Sequence, residues 1–137
     1  MKNGLATLIT CDTHVLLFWA LAPQQLSPTA LNGLERAAKA GALACADIVL
    51  WEIALLAHKQ RIRLSVPTGQ FIEDLLQGLR LVTLPITPAI AVRAQAGFLQ
   101  HKDPADRLIA ATALAFDAPL ITRDRKLALL PGLRVIW

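Results

Sequence analysis

A chain of 137 residues, 55% of them apolar and 18% charged, is sized for one domain with a sizeable core, which excludes a disordered chain. No stretch reaches the roughly 18 charge-free apolar residues of a membrane span. The first residues lack the small-residue cleavage pattern of a secretory signal, so a cytoplasmic protein with no membrane partner is expected. The formal net charge is +4, with arginine in excess of lysine. That balance suits a polyanionic partner, because guanidinium grips phosphate in a bidentate fashion. Solubility alone would also account for it, and charge does not separate DNA from RNA.

Residues 5–11 are a short apolar run without helical periodicity and read as a buried strand. Asp12 and Thr13 can cap the next helix, which carries Val15, Leu16, Phe18 and Trp19 and stops at Pro23. Ser27 and Pro28 restart a helix as N-cap and first helical residue; it runs to about residue 40, and Gly41 ends it. Residues 42–46 read as a second strand. Asp47 then caps a helix to about residue 59, with Ile48, Trp51 and Leu55 on one face and Glu52 beside it. The alternation in 61–66 fits a short extended piece. Thr68 caps a helix to 77, and Gly78 ends it. Residues 80–84 are a third strand bounded by Pro85, and Thr87 with Pro88 opens a helix to about residue 99. A loop at 101–104 leads into a helix over 104–116. Residues 120–122 are a fourth strand, Asp124 begins a helical turn through 129, and 133–136 close the chain as a short strand.

Strands alternating with helices imply an α/β fold, in which a short-stranded parallel sheet carries helices on both faces as three α/β/α layers. One domain spans 1–137. Tyrosine is absent and aromatics are few, so the core is built from Leu, Ile, Ala and Val. Ligands bind such sheets beyond the carboxyl ends of the strands. No repeat, Gly-rich phosphate loop or nucleophilic Ser or Cys motif is present. Cys11 and Cys45 read as small buried hydrophobes. A disulfide requires their strands to be neighbours, and without a ligand-like His they make no zinc site.

Acids in apolar surroundings carry the functional signal. Asp12 closes the first strand, Glu52 is flanked by Leu50, Trp51, Ile53 and Ala54, Asp106 opens a helix of small residues, and Asp124 ends the fourth strand. A buried carboxylate is costly unless a positive charge compensates it, and a divalent metal is the simplest compensator. Each acid has a plainer role. Asp12 and Asp124 can cap helices, and Glu52 can pair with Lys59 or lie at the surface. In Asp103-Pro104-Ala105-Asp106, Asp103 reads as the N-cap and Asp106 as a first-turn acid, so Asp106 is the preferred ligand, with Asp103 an accessory. Thr13 can orient the Asp12 carboxylate or a water, and Thr122 faces the same side as Asp124. His14 lies close enough to Asp12 to line a cleft, whereas His58 reads as surface; the three histidines share no ligand spacing. Arg107, Arg123, Arg125 and Lys126 are candidate phosphate contacts, with Arg107 alternatively paired to Asp103.

These segments, taken in order, resemble the PIN-domain family, specifically its VapC-type ribonuclease toxins. The resemblance covers almost the whole chain. Leu8-Ile9-Thr10-Cys11-Asp12-Thr13-His14 is similar to the family's first strand and first acid, and Leu50-Trp51-Glu52-Ile53-Ala54 to its central Glu helix. The run from His101 to Ala113 and the closing Pro119-Leu120-Ile121-Thr122-Arg123-Asp124 match as well. Members often place Ser before the Trp-Glu pair, where this chain has Ala46, Asp47, Ile48 and Val49.

The resemblance implies Asp12, Glu52, Asp106 and Asp124 as the acidic cluster, Mg²⁺ or Mn²⁺ as cofactor, RNA cleavage and a homodimer. It also implies inhibition by an antitoxin, through which any DNA contact would be indirect. The expected reaction is phosphodiester hydrolysis by a metal-activated water. The alternatives are a non-toxin RNA-processing nuclease of the same family, a non-catalytic nucleic-acid binding module, a small-molecule phosphatase and an interaction protein that accepts a partner helix.

Overall fold

In the computed structural model, which describes residues 7–96 and 101–137, five short parallel strands stand in the order β3-β2-β1-β4-β5. They are β1 (Ile9–Cys11), β2 (Leu43–Ala46), β3 (Val82–Leu84), β4 (Leu120–Ile121) and β5 (Val135–Ile136). Every residue of β2 and β4 is buried, as a sheet covered on both faces demands. The edge strands are less covered, and Val82 and Thr83 of β3 are exposed. The expected strand at 5–11 begins at Ile9, and its residues 5 and 6 lie outside the described residues.

The helices are α1 (Thr13–Leu21), α2 (Pro28–Lys39), α3 (Ile48–His58), α4 (Thr68–Gly78), α5 (Pro88–Arg93), α6 (Pro104–Ala115) and α7 (Arg125–Ala128), with a 3₁₀ turn at Pro23–Gln25. Helix α2 crosses β1, β2, β4 and β5; α6 packs over β2, with α3 and α5 beside it. The result is the expected three-layer α/β/α arrangement. Leu16, Leu34, Leu43, Ile53, Ile109, Leu120 and Ile121 are fully buried, and Phe71 is the one aromatic in the core among the described residues. Alanines at 105, 110, 111 and 113 let α6 lie close to its neighbours. None of the described helices is long and apolar enough to cross a membrane.

The Ser27 hydroxyl accepts from Ala30 N at 3.0 Å, as its cap position predicts, and Gly41 ends α2 with φ +70°. Four local expectations are corrected. Thr68 occupies the first helical position of α4, so Pro67, which has no side-chain oxygen, stands at the cap. Asp47 does not cap α3; its own backbone is helical, and its Oδ2 instead accepts from Ile86 N at 3.3 Å. The third strand starts at Val82, because Arg80 takes a left-handed conformation (φ 50°) as it leaves α4. Residues 61–66 form no strand; Ile62 and Leu64 turn toward the core while Arg61 and Arg63 face outward, which reproduces strand-like alternation in a bent connection. The helix opened by Thr87 and Pro88 is regular to Arg93, and its expected end at Leu99 lies outside the described residues. Strands β1 and β2 are neighbours, yet Cys11 and Cys45 are both free and buried.

Candidate metal centre

The chain leaves β1 toward β2 on one side and returns as β4 on the other, so the strand order reverses beside β1. A crevice opens beyond the carboxyl ends of the strands at such a reversal. The parallel register of Cys11 with Ile121 sets the residues after β1 beside those after β4. The Thr122 hydroxyl therefore donates to Asp12 Oδ2. Asp12 Oδ1 accepts from Val15 N at 3.0 Å and caps α1. A carboxylate has enough lone pairs to serve as cap and cluster member together.

Glu52 is only 8% exposed, although it sits on an apolar helix. Its Oε1 accepts from the Thr13 hydroxyl, because α1 packs against α3. Thr13 thus orients Glu52, not Asp12 as expected. No ion pair joins Glu52 to Lys59 among the described residues.

Asp103 caps α6, accepting from Ala105 N at 2.9 Å, and places Asp106 in the first turn. Asp124 caps α7, accepting from Lys126 N at 2.8 Å. His101 joins the two, with Nε2 at 2.7 Å from Asp124 Oδ2 and 3.3 Å from Asp106 Oδ2. The backbone N–H of Asp103 donates to His101 Nδ1 at 3.2 Å, which assigns the neutral ring's proton to Nε2, facing the carboxylates. Sequence spacing did not single out His101 as a site residue. Its one local signal is its place two residues before the Asp103 cap.

Two groups of ligand atoms result, each within 4.8 Å: His101, Asp106 and Asp124, and Glu52, Asp103 and Asp106. Asp106 belongs to both. Asp12 joins them across a cleft of about 250 Å³ that it lines with Asp106, Asp124, His14, Phe18 and Arg123.

Burial raises the pKa values of Asp12 and Glu52 above the carboxylate range, against the hydrogen bonds from Thr122 and Thr13. Burial, reinforced by the charge of Asp103, lifts Asp106 to about 7. For Asp124, burial pulls upward but is outweighed by the hydrogen bonds from His101 and Lys126 N, which hold it below 3.8. Lys and Arg form no ion pair with Asp12, Glu52 or Asp106 among the described residues. Close carboxylates with no cationic partner are a donor set for a hard divalent cation, which takes oxygen ligands and relieves their mutual repulsion. Asp12, Glu52, Asp106 and Asp124 could hold such an ion.

The four candidate phosphate contacts diverge. Arg123 lines the 250 Å³ cleft, with its guanidinium 4.7 Å from the centre of the Phe18 ring and Nη1 donating to Gln25 Oε1 at 3.2 Å. Arg107 does not pair with Asp103. Its Nη1 donates to the carbonyls of His101 (2.9 Å) and Lys102 (3.2 Å), so it anchors the loop that carries His101. Arg125 and Lys126 are exposed on α7. His14 lines the cleft and His58 is exposed, both as expected.

The family model described as PIN domain matches residues 9–133. Over 122 residues the chain is 39% identical to Ribonuclease VapC22 of Mycobacterium tuberculosis, covering 88% of this chain and 90% of that protein. VapBC2 from Rickettsia felis, solved bound to a DNA fragment from its promoter, aligns with a TM-score of 0.70 at 20% identity, over 93% of this chain and 96% of that one. A toxin–antitoxin complex from Klebsiella pneumoniae aligns with a TM-score of 0.60 at 24% identity, over 91% and 94% of the two chains. At those identities the two structures speak for the fold, while the family match and the curated relative speak for descent: the chain belongs to the PIN-domain family, among its VapC-like members.

Proposed function

We propose that the protein is a metal-dependent endoribonuclease and the toxin of a toxin–antitoxin pair, with the whole chain forming one nuclease domain. One observation carries the reading: Asp106 is shared by two ligand-sized groups, one with His101 and Asp124 and one with Glu52 and Asp103, and lines a single cleft with Asp12 and Asp124. Asp12, Glu52, Asp106 and Asp124 are the proposed metal ligands. The chemistry that bound Mg²⁺ or Mn²⁺ supplies is Lewis-acid relief of charge on phosphate oxygens and generation of a water nucleophile.

The chain's own residues prepare that site. Thr122 fixes Asp12, and Thr13 fixes Glu52. His101 holds Asp106 and Asp124 at a common edge. Without a cation, burial and the charge of Asp103 hold the pKa of Asp106 at about 7, so its proton would be displaced on metal binding. Arg123, restrained over Phe18, offers a cation on the cleft wall to a phosphate. That contact positions the backbone and reads no base.

The toxin role rests on the ribonuclease named as the curated relative and on the toxin–antitoxin complexes among the structural neighbours. An antitoxin chain and a second copy of this chain are the proposed protein partners, with DNA reached through the antitoxin. RNA cleavage is expected to require Mg²⁺ or Mn²⁺ and to stop with chelator. RNA binding by the basic surface persists in chelator and weakens as salt rises. A panel of structured RNAs with matched DNA checks this. Binding without cleavage, across both metals and all substrates, would replace the nuclease with a binding module.

A further inference from the structure

Beside the acidic cluster, a second cleft of about 560 Å³ opens between α3 and the start of α6. Its size falls within the roughly 300–1,000 Å³ of ligand-holding clefts. The buried residues Glu52 and Ala105 form its floor. Trp51 forms one wall and is 57% exposed, the most exposed aromatic among the described residues. Trp51, Leu55 and Lys59 follow one another at helical spacing, so α3 presents an aromatic surface followed by a cation along one face. Arg61, just past α3, and Lys102, just before α6, bring the exposed cations at this cleft to three, against one exposed acid, the α6 cap Asp103. None of these three cations forms an ion pair among the described residues.

No packing requirement explains this group. The core is complete without Trp51, and a large apolar ring left in water gains nothing for the fold. Leu50, Ile53 and Ala54 surround Trp51 in sequence, so α3 already has enough apolar residues to bury. An exposed aromatic flanked by unpaired cations is the composition of a single-strand binding platform, in which a base stacks on the ring and its phosphates meet the cations. A duplex offers no free base face to such a ring.

We infer that this cleft holds an unpaired nucleotide of the RNA substrate, with its base stacked on Trp51 and its flanking phosphates on Lys59, Arg61 and Lys102. Glu52 sits on the floor of this cleft and within the acidic cluster. A strand seated here therefore lies directly against the proposed cleavage site. The subsite rests on the nuclease reading for its substrate. It adds that the strand is single at this point and that recognition begins with stacking.

Binding of fluorescently labelled single-stranded RNA to the full-length protein in chelator, where cleavage is halted, tests the inference. Trp51→Ala is expected to lower affinity by roughly 5- to 150-fold, the equivalent of removing one base–aromatic stack. Trp51→Phe, which keeps a stacking face, retains most of the affinity. Lys59→Ala combined with Arg61→Ala is expected to flatten the salt dependence by about 0.7 for each phosphate that is no longer neutralised. The matched duplex is expected to bind more weakly and to ignore Trp51→Ala.

Unchanged single-strand affinity in Trp51→Ala overturns the inference. Unchanged RNA affinity combined with loss of a co-expressed antitoxin would assign the cleft to a protein partner and overturns it equally. The two readings fail separately. Trp51-dependent binding that never leads to cleavage on adding Mn²⁺ removes the nuclease and keeps the subsite, whereas cleavage with Trp51-independent binding does the reverse.

Discussion

Asp106→Asn is expected to lower RNA cleavage by more than about 100-fold, the upper end of what even outer partners of a metal ligand cost. Asp106 is the shared member of both ligand groups, so its loss weakens either mode of metal capture. Asp103→Ala is expected to reduce cleavage far less and to cost about 0.5–2 kcal/mol of stability, because its clearest role is the cap on α6.

The same Asp106 substitution has an opposite effect on the metal-free fold. The Asp106 pKa is raised from 3.8 to about 7 by burial and by the charge of Asp103. In the unfolded chain the group ionises from about pH 4 upward. Its contribution to stability is thus fully present below about pH 4, declines as pH rises, and is gone above about 7. Asn cannot ionise. In chelator, Asp106→Asn is therefore expected to be more stable than wild type above pH 7, with the gap closing toward pH 4. Urea melts in chelator across pH 4–8 and cleavage at saturating Mg²⁺ check the two effects. A larger catalytic loss from Asp103→Ala, with folding intact, would move the ligand role to Asp103.

Asp12→Asn is expected to remove cleavage to a comparable extent and to leave the fold intact. Asn caps a helix about as well as Asp, so Val15 N keeps its partner. Burial already opposes ionisation of Asp12, and a neutral amide avoids that penalty. Asp12→Ala is expected to be equally inactive but less stable, by about 0.5–2 kcal/mol for the cap and a further ~1–3 kcal/mol for the buried Thr122 hydroxyl left without its acceptor. Paired melting curves and cleavage assays separate the two variants. Wild-type cleavage by Asp12→Asn would remove Asp12 from the site.

The architecture was legible because strand-like apolar runs alternate with capped helices, and Ser27, Asp103 and Asp124 each cap as their spacing indicates. The acids were legible for a related reason. A carboxylate at the end of a buried strand, or within an apolar helix, has no ordinary place in a core. Pairings across the chain were not legible. Thr122 meets Asp12 only because β4 lies beside β1 in register, and Thr13 meets Glu52 only because α1 lies on α3. His101 reaches Asp124 across 23 residues of sequence, a distance over which local spacing carries no information. Asp47 shows the converse. Its position suits a cap, but the neighbouring backbone of Ile86 takes its carboxylate. Arg107 likewise holds two loop carbonyls through Nη1, a contact that its sequence position did not show.

The acidic cluster is proposed to hold a divalent cation through Asp106 and its neighbours. Direct Mn²⁺ binding, followed by the electron-spin resonance of free Mn²⁺ in the absence of RNA, tests it most closely. Wild type is expected to bind with affinity that tightens as pH rises toward about 7 and then levels, releasing a proton as Asp106 gives up its own. Asp106→Asn is expected to lose both the binding and its pH dependence. Equal Mn²⁺ affinity in the two proteins, unchanged from pH 6 to pH 8, would exclude Asp106 as a metal ligand.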